Sequence, residues 1–600
     1  MPKRLSLLLA ATLLVPAFAV PAQADNQPAA ITQTVLFNKG DAGYGCYRIP
    51  AIVKTKTGAL LAFAEARRTW CDDSQEIDLV LKRSDDDGRT WSAAKTVLAG
   101  SDTDPNAPVT RGNPVPIVDQ ETGRIVLLTT MDPGTSSYPR TPYVQFSDDD
   151  GATWSTAKNI GSQIDDPAWG WYATGPMHGI QLTRGAHAGR MVAGTNYDVD
   201  GKDAGQLVYS DDKGETWHKG ATDLRTDGQV PQEISVVEKV NGGILAMARN
   251  NAGGPGASRM TAVSNDGGET YAAPYKTVDG LTTPTVQTSV QRLRAVDQGD
   301  KYNRILFAGP ADPERRRYLT IRSSFDEGNT WQTVAQGTRI TSDWSGYSDM
   351  AILDTGEIGL LYEGGPVDAR DQIRFARFTE NDIGHPDAPL GATTPDVSGL
   401  GNNSYLRGGT TSVAGKFGQA RDLDGVDDAI QLPFAESLAV GAGDFTAMAW
   451  IKYGASTGPQ AIFWGYNINE FSQFWLRAEP ADGRIRGLIT TGGNTAVVAT
   501  SKAYNDNAWH HVALQRRAGT LAIWVDGTQV ASVASPAGSV SPGRPFKMFV
   551  GQRIDGAHHF DGSMDEVRIY KRALTAAEIG SIRTSNSTTV PNVVLDLPLG

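Results

Sequence analysis

Ser84-Asp85-Asp86-Asp87-Gly88-Arg89-Thr90-Trp91 decides the fold, because its pattern, Ser-x-Asp-x-Gly-x-Thr-aromatic, returns four more times. The other copies begin at Ser147, Ser210, Ser264 and Ser324 and end on Trp154, Trp217, Tyr271 and Trp331, so successive starts lie 63, 63, 54 and 60 residues apart. One such match is chance, but five in near-register are a repeat. Asp bonds nearby backbone amides and Gly accepts positive φ, so each box predicts a tight turn, with the aromatic folding back to close its hairpin. Each box follows a short alternating apolar run such as Ile77-Asp78-Leu79-Val80-Leu81, the period of a half-buried strand. Repeats of about 60 residues made of short strands fit the blades of a β-propeller. The region from Thr32 to Phe378 holds roughly six such units, five of them marked, and its last run, Ile373 to Phe378, alternates as a strand should.

Composition excludes several other classes. Six hundred residues, at ~150 per domain, imply more than one core. Hydrophobic residues at 40% and charged residues at 20% rule out wholesale disorder, and 66 Gly with 32 Pro supply turns without a collagen period. A net charge of −12 offers no basic field to nucleic acid or an anionic membrane. Two cysteines cannot build a disulfide scaffold or a cysteine-rich metal array. Residues 1–24 read as an export signal: Lys3 and Arg4, an apolar run from Leu5 to Val20 broken by Pro16, then Ala22-Gln23-Ala24 as the cleavage site. Its removal takes two basic and no acidic residues, leaving −14. No later segment is apolar enough to span a bilayer. The expected product is secreted and extracellular, a monomer with no membrane span and no nucleic-acid partner.

The composition changes after Phe378. The propeller is assigned to residues 30–383, and the Pro-rich, then Gly/Thr/Ser-rich, stretch 384–411 reads as a linker. Residues 412–600 lack boxes but keep alternating strands, among them Phe445 to Ile451 and Ala508 to Leu514. Leu521 to Val525, Asp526-Gly527 and Thr528 to Val530 spell a hairpin. Only Leu574 to Ile582 reads as a helix. The expected fold class is all-β: a six-bladed β-propeller followed by a β-sandwich.

Dispersed among the blades are segments that together resemble the exo-sialidase (neuraminidase) family of glycoside hydrolases. Tyr47-Arg48-Ile49-Pro50 is similar to its Arg-Ile-Pro motif, and the repeated boxes to its Asp-boxes. Phe63-Ala64-Glu65-Ala66-Arg67 and Asp73-Ser74-Gln75-Glu76-Ile77-Asp78 resemble the region bearing its acid/base, and Trp171 to Pro176 is a further match. Gln232-Glu233 with Arg249 sixteen residues on, Arg316 eight residues before the fifth box, and Gly346-Tyr347-Ser348-Asp349 with Glu363 complete an ordered set across the first domain.

The resemblance implies a retaining exo-α-sialidase with a tyrosyl-linked intermediate, releasing terminal sialic acid from glycoproteins, glycolipids and oligosaccharides. The residue types suit that chemistry. The sugar carries a carboxylate on its anomeric carbon, ionised at neutral pH. Guanidinium is permanently charged and forks onto carboxylate, so Arg48, Arg249 and Arg316 are the expected anion clamp, with Glu363 holding Arg48. A carboxylate nucleophile would be repelled by the substrate's charge, whereas a neutral phenol needs only a base at its oxygen. Tyr347 is therefore the expected nucleophile, Glu233 its base and Asp73 the acid/base, with the adjacent Asp72 as alternative. Arg67 is expected near the sugar hydroxyls, or else paired with Asp78; Asn113 is expected at the ring substituents, or else starting a turn. Cys46 and Cys71, each two residues before a site residue, are expected to form a disulfide in an exported chain, the alternative being two buried thiols.

No cofactor or metal is expected for catalysis. His510 and His511 are neighbours on a strand and point to opposite faces, and His178 reads as a hydrogen-bonded structural residue. The second domain resembles the laminin-G-like, concanavalin-type jelly roll, on Phe445 to Ile451, Trp509 to Ala513 and Phe560 to Tyr570. Such a domain implies a glycan-binding partner role or a folded spacer, and sometimes holds calcium, for which no carboxylate cage is assigned. Two rivals remain: a trans-sialidase, in which an acceptor sugar replaces water, and a non-catalytic sialoglycan-binding adhesin.

Overall fold

The structure, a computed structural model, describes residues 31–100, 109–136, 139–254, 259–386, 392–454, 458–466, 472–541 and 544–600. The expected signal segment 1–24 and residues 387–391 of the expected linker lie outside them. The chain is all-β, with a propeller-like arrangement in its first part. Four antiparallel sheets of four or five strands and one eight-stranded sheet make up this part. The eight-stranded sheet consists of two antiparallel groups joined by one parallel pair, Ile77 with Thr110. Apolar layers lie between consecutive groups: Phe63 and Leu81 meet Ile125 and Leu127, for example, and Ala193 and Val208 meet Val126 and Val144. The ring closes because Thr32–Asn38 pairs antiparallel with Gln372–Phe378, setting Thr32 beside Arg377.

The boxes form the turns that the sequence predicts. In the first, Asp87 and Gly88 adopt φ of 56° and 78°, and the Gly88 amide donates to the Ser84 hydroxyl at 2.8 Å. The Thr90 amide and hydroxyl both donate to Asp86, holding its carboxyl down at about 2. The Trp91, Trp154 and Trp217 ring nitrogens donate to the box glycine carbonyls at 3.1, 3.2 and 3.0 Å. Their rings do more than close their own hairpins. Trp91 packs on Phe375 at 5.1 Å and Trp154 on Phe63 at 5.9 Å, each in a neighbouring group of strands. The box is thus a rivet between groups of strands.

The second part is two eight-stranded sheets that share one core, with Phe445, Ala447 and Ile451 from one facing Ile430, Leu476 and Ile489 from the other. The Asp526-Gly527 turn has φ of 50° and 82°, the type I′ geometry the hairpin reading requires. The helix runs Ala576–Ser585, later than expected, because Thr575 caps it in a box with Glu578. The linker reading needs correction: Thr393–Thr394 and Ser404–Arg407 are strands of this part's first sheet, and Thr411–Ala414 opens the second. Ladder pairing outweighs a turn-rich composition there. Phe434 packs on Tyr302 and Phe325 of the propeller-like part at 5.1 and 5.5 Å, tying the two parts together.

Candidate active site

One backbone device recurs at the ring's axis. In the strands Cys46–Lys54, Val109–Val118, Pro231–Glu238 and Trp344–Ile352 the ladder register slips by one residue, between Arg48 and Ala51, Gly112 and Val115, Gln232 and Ser235, and Ser345 and Ser348. Each slip inserts one extra residue, a β-bulge, which bends the strand and re-aims side chains. Ile49, Asn113 and Glu233 sit at these bulges with φ of 56°, 54° and 48°, a strained choice for non-glycine residues and above all for β-branched Ile49. The bulges turn Arg48, Glu233 and Tyr347 into one cleft, which Asp73 also lines.

Glu363, fully buried, accepts from Arg48 Nε at 3.0 Å and Nη2 at 3.3 Å, and from the amides of Ile49 and Tyr347 at 3.0 and 3.2 Å. One carboxylate therefore fastens Arg48 and the tyrosine's backbone together. Arg249 Nη1 donates to Glu233 Oε2 at 2.7 Å and to the Tyr347 hydroxyl at 3.1 Å. The phenol donates a short hydrogen bond to Glu233 Oε1. The guanidinium carbons of Arg48 and Arg316 lie 5.1 and 5.6 Å from the Tyr347 ring centre. All three expected clamp arginines gather round one phenol. Burial and the Glu233 carboxylate push the Tyr347 pKa up, although the three arginines pull it down, so the resting phenol is protonated.

Asp73 faces this group from the loop between the strands Leu60–Arg67 and Ile77–Ser84. Its Oδ1 lies 2.6 Å from Arg67 Nη1 and 3.6 Å from Arg48 Nη1, while its side chain is 69% exposed. Partial desolvation by the cleft walls would raise its pKa, but Arg67 and Arg48 hold the carboxyl below the usual range. Asp72 instead lines an outer groove with Trp70 and Arg370. Arg67 does not pair with Asp78, which Arg68 takes at 2.7 Å. Arg67 is bound to Glu65 by Nε and Nη2 at 3.1 and 2.6 Å. Glu65 also accepts the Asn113 amide at 2.9 Å, and Arg140 Nη2 donates to Asn113 Oδ1 at 3.1 Å. The Asn113 side-chain amide is engaged at its other end by Thr174. It therefore holds the bulge.

Glu65 and Arg140 were not assigned a role from sequence. Glu65 stood in the quoted Phe63 to Arg67 stretch, and its place two residues before Arg67, on the same strand face, was the available signal. Nothing local marks Arg140, which lies buried 4.1 Å over Trp171 and pairs with Asp132 at 3.3 Å. Cys46 and Cys71 form a disulfide, with Cα atoms 5.2 Å apart, that fastens the Asp73 loop to the Arg48 strand. His178 pairs with buried Asp349 at 2.6 Å. His510 bonds Asp526 while His511 is buried beside Trp450 with its pKa pulled down to about 3 by burial, so the two rings do occupy different surroundings. Among the described residues, the one acidic trio close enough to share a cation is Asp424, Asp427 and Asp428, in the second part and away from the cleft.

Comparison with known proteins agrees with this arrangement. The BNR repeat-like domain family model matches residues 58–360, and that of the concanavalin A-like lectin/glucanase superfamily matches residues 424–580. A sialidase of Micromonospora viridifaciens is 33% identical over 386 residues, 61% of this chain and 56% of the relative. A sialidase of Bacteroides fragilis is 30% identical over 345 residues, 54% of this chain and 61% of the relative. The chain thus spans less than two thirds of the length of these curated relatives. Among solved structures, Hadza microbial sialidase Hz136 aligns with TM-score 0.51 and 28% identity over 58% of this chain and 69% of its own. Trypanosoma rangeli sialidase in complex with sialic acid aligns with TM-score 0.54 over 94% of this chain and 99% of its own; at 17% identity the likeness is one of fold.

Proposed function

The chain belongs to the BNR repeat-like domain family, and from that premise we propose that it is a retaining exo-α-sialidase using a tyrosyl-linked intermediate. The observation that carries the reading is the Tyr347 hydroxyl held between the Glu233 carboxylate and Arg249, with Arg48 and Arg316 beside the same ring.

In the proposed reaction the three guanidiniums bind the carboxylate of a terminal sialic acid and set its anomeric carbon against the Tyr347 oxygen. Glu233 takes the phenolic proton as that oxygen attacks, relieving the raised pKa at the moment of bond formation. Asp73 gives a proton to the departing glycosidic oxygen. Asp73 is ionised in the free cleft, but the substrate carboxylate offsets the charge of Arg48 and the substrate excludes water, and both effects raise its proton affinity. In the second half, Asp73 takes a proton from water, which displaces the tyrosine as Glu233 returns its proton. Two inversions give net retention. The reaction draws on no cofactor.

The same reading counts the eight-stranded sheet as two blades, making a six-bladed propeller, followed by a jelly roll that binds glycans. The single parallel bridge and the apolar layer between the two groups support that count. The proposed enzyme is secreted, is a monomer and acts on sialylated glycoconjugates. Release of fluorophore from an aryl α-sialoside tests the activity. Tyr347→Phe should fold and lose nearly all turnover; an unreactive wild-type chain would refute the reading.

A further inference from the structure

The strands Ile244–Asn250 and Arg259–Ser264 turn one face toward Arg304–Pro310 and Leu319–Ser324 of the next sheet, and Leu245, Met247, Ile305 and Phe307 line the layer between. Two arginines project into this apolar layer. Arg259 stands opposite Arg249 in its ladder and Arg322 opposite Phe307, and directly paired residues share a face. Arg322 is 0% and Arg259 1% exposed. The Arg322 guanidinium lies 4.9 Å over the Phe307 ring, and none of its three nitrogens has a hydrogen-bond partner. Arg259 donates to the Thr288 hydroxyl at 2.7 Å and to the Val286 carbonyl at 2.5 Å, and its Nε has no partner. Trp331, packed against the same layer, also keeps its ring nitrogen buried without a partner, unlike Trp91, Trp154 and Trp217.

A buried charge without a counter-charge is among the largest single penalties in a fold. Among the described residues neither arginine has an ion-pair partner. Burial pulls both down to about 9; on Arg259 the cations Arg249 and Arg322 add to the effect and the Glu233 carboxylate only partly opposes it, and at neutral pH both remain cations. We propose that this layer binds one small inorganic anion of the halide class, held by Arg322 with Arg259 as the second cation. A halide fits because it accepts N–H groups from any direction. It also sheds water more readily than a phosphate or sulfate dianion, whose oxygens the surrounding Met, Leu, Ile and Phe side chains could not satisfy. The anion would sit behind the reacting phenol: Val286, whose carbonyl Arg259 holds, packs with Ile49 on Tyr347.

The test uses the full chain and is independent of the proposed reaction. At equal ionic strength, sodium bromide or chloride should raise the melting temperature over sodium gluconate by roughly 2–4 °C, saturating with concentration. Arg322→Met should abolish that response. Crystals soaked in bromide should show one anomalous peak within hydrogen-bond reach of Arg322. A melting temperature indifferent to halide, a halide response that survives Arg322→Met, or ordered water in place of bromide beside Arg322 each overturns the proposal.

Discussion

Glutamine at position 363 tests how the cleft is assembled. The Glu363 carboxylate accepts four hydrogen bonds, two at each oxygen: Arg48 Nε and the Ile49 amide at one, Arg48 Nη2 and the Tyr347 amide at the other. An amide keeps one acceptor and turns the other oxygen into a donor, so in either orientation two N–H groups lose their acceptor and Arg48 loses its buried counter-charge. Breaking one side of such a pair costs about 3–5 kcal/mol. Denaturant unfolding of Glu363→Gln should therefore show a loss of about that size. Free of Glu363, Arg48 is drawn to Asp73, already 3.6 Å away, and leaves the clamp. With sialyllactose as substrate, kcat/KM should drop roughly 100-fold, and the Ki of free sialic acid should rise in parallel. The double variant Arg48→Met/Glu363→Gln, which removes both charges, should recover much of the stability but none of the affinity. Wild-type stability and wild-type Ki in Glu363→Gln would refute the claim that this carboxylate holds the clamp.

Other outcomes follow from single features. Asp73→Asn should cost roughly 10²–10⁴-fold on sialyllactose but far less on an aryl α-sialoside whose leaving group needs no proton, as parallel assays will read. Wild-type turnover of sialyllactose should fall as pH rises, since the carboxyl, held low by Arg67 and Arg48, must be protonated to act. Replacing Cys46 and Cys71 by serine opens a loop of 25 residues and should lower stability by about 3 kcal/mol, with kcat falling as the Asp73 loop loosens. In the second domain burial pushes Glu566 up to about 7 from 4.5, even with Arg568 opposing. The folded state then binds more protons than the unfolded between those values, so stability should decline across that window by about 3 kcal/mol; Glu566→Gln should flatten the curve.

The legible parts of the sequence were those where backbone conformation and side-chain chemistry agree locally. The boxes name their own turn, since Ser84, Asp86, Gly88 and Thr90 bond one another within seven residues. Asp526-Gly527 names its hairpin in the same way. The site residues were legible only through the resemblance, because Arg48, Glu233 and Tyr347 come from separate sheets and no spacing records their meeting. The bulges that aim them leave little local trace: Ile49 is an unlikely choice for positive φ, and only the closed ring enforces it. Strands within 392–411 were hidden by Gly and Thr that read as linker. Glu65 and Arg140 act on other site residues, so residue type alone could not single them out.

The most direct test of the central claim is covalent trapping. A sialosyl fluoride with a second fluorine beside its anomeric carbon forms the glycosyl-enzyme readily but hydrolyses slowly, so peptide mass spectrometry can locate the attached sugar. The account predicts a single adduct, on the phenol oxygen of Tyr347. A sugar attached to Glu233 or Asp73, or an unlabelled chain that still turns over sialosides, would contradict it.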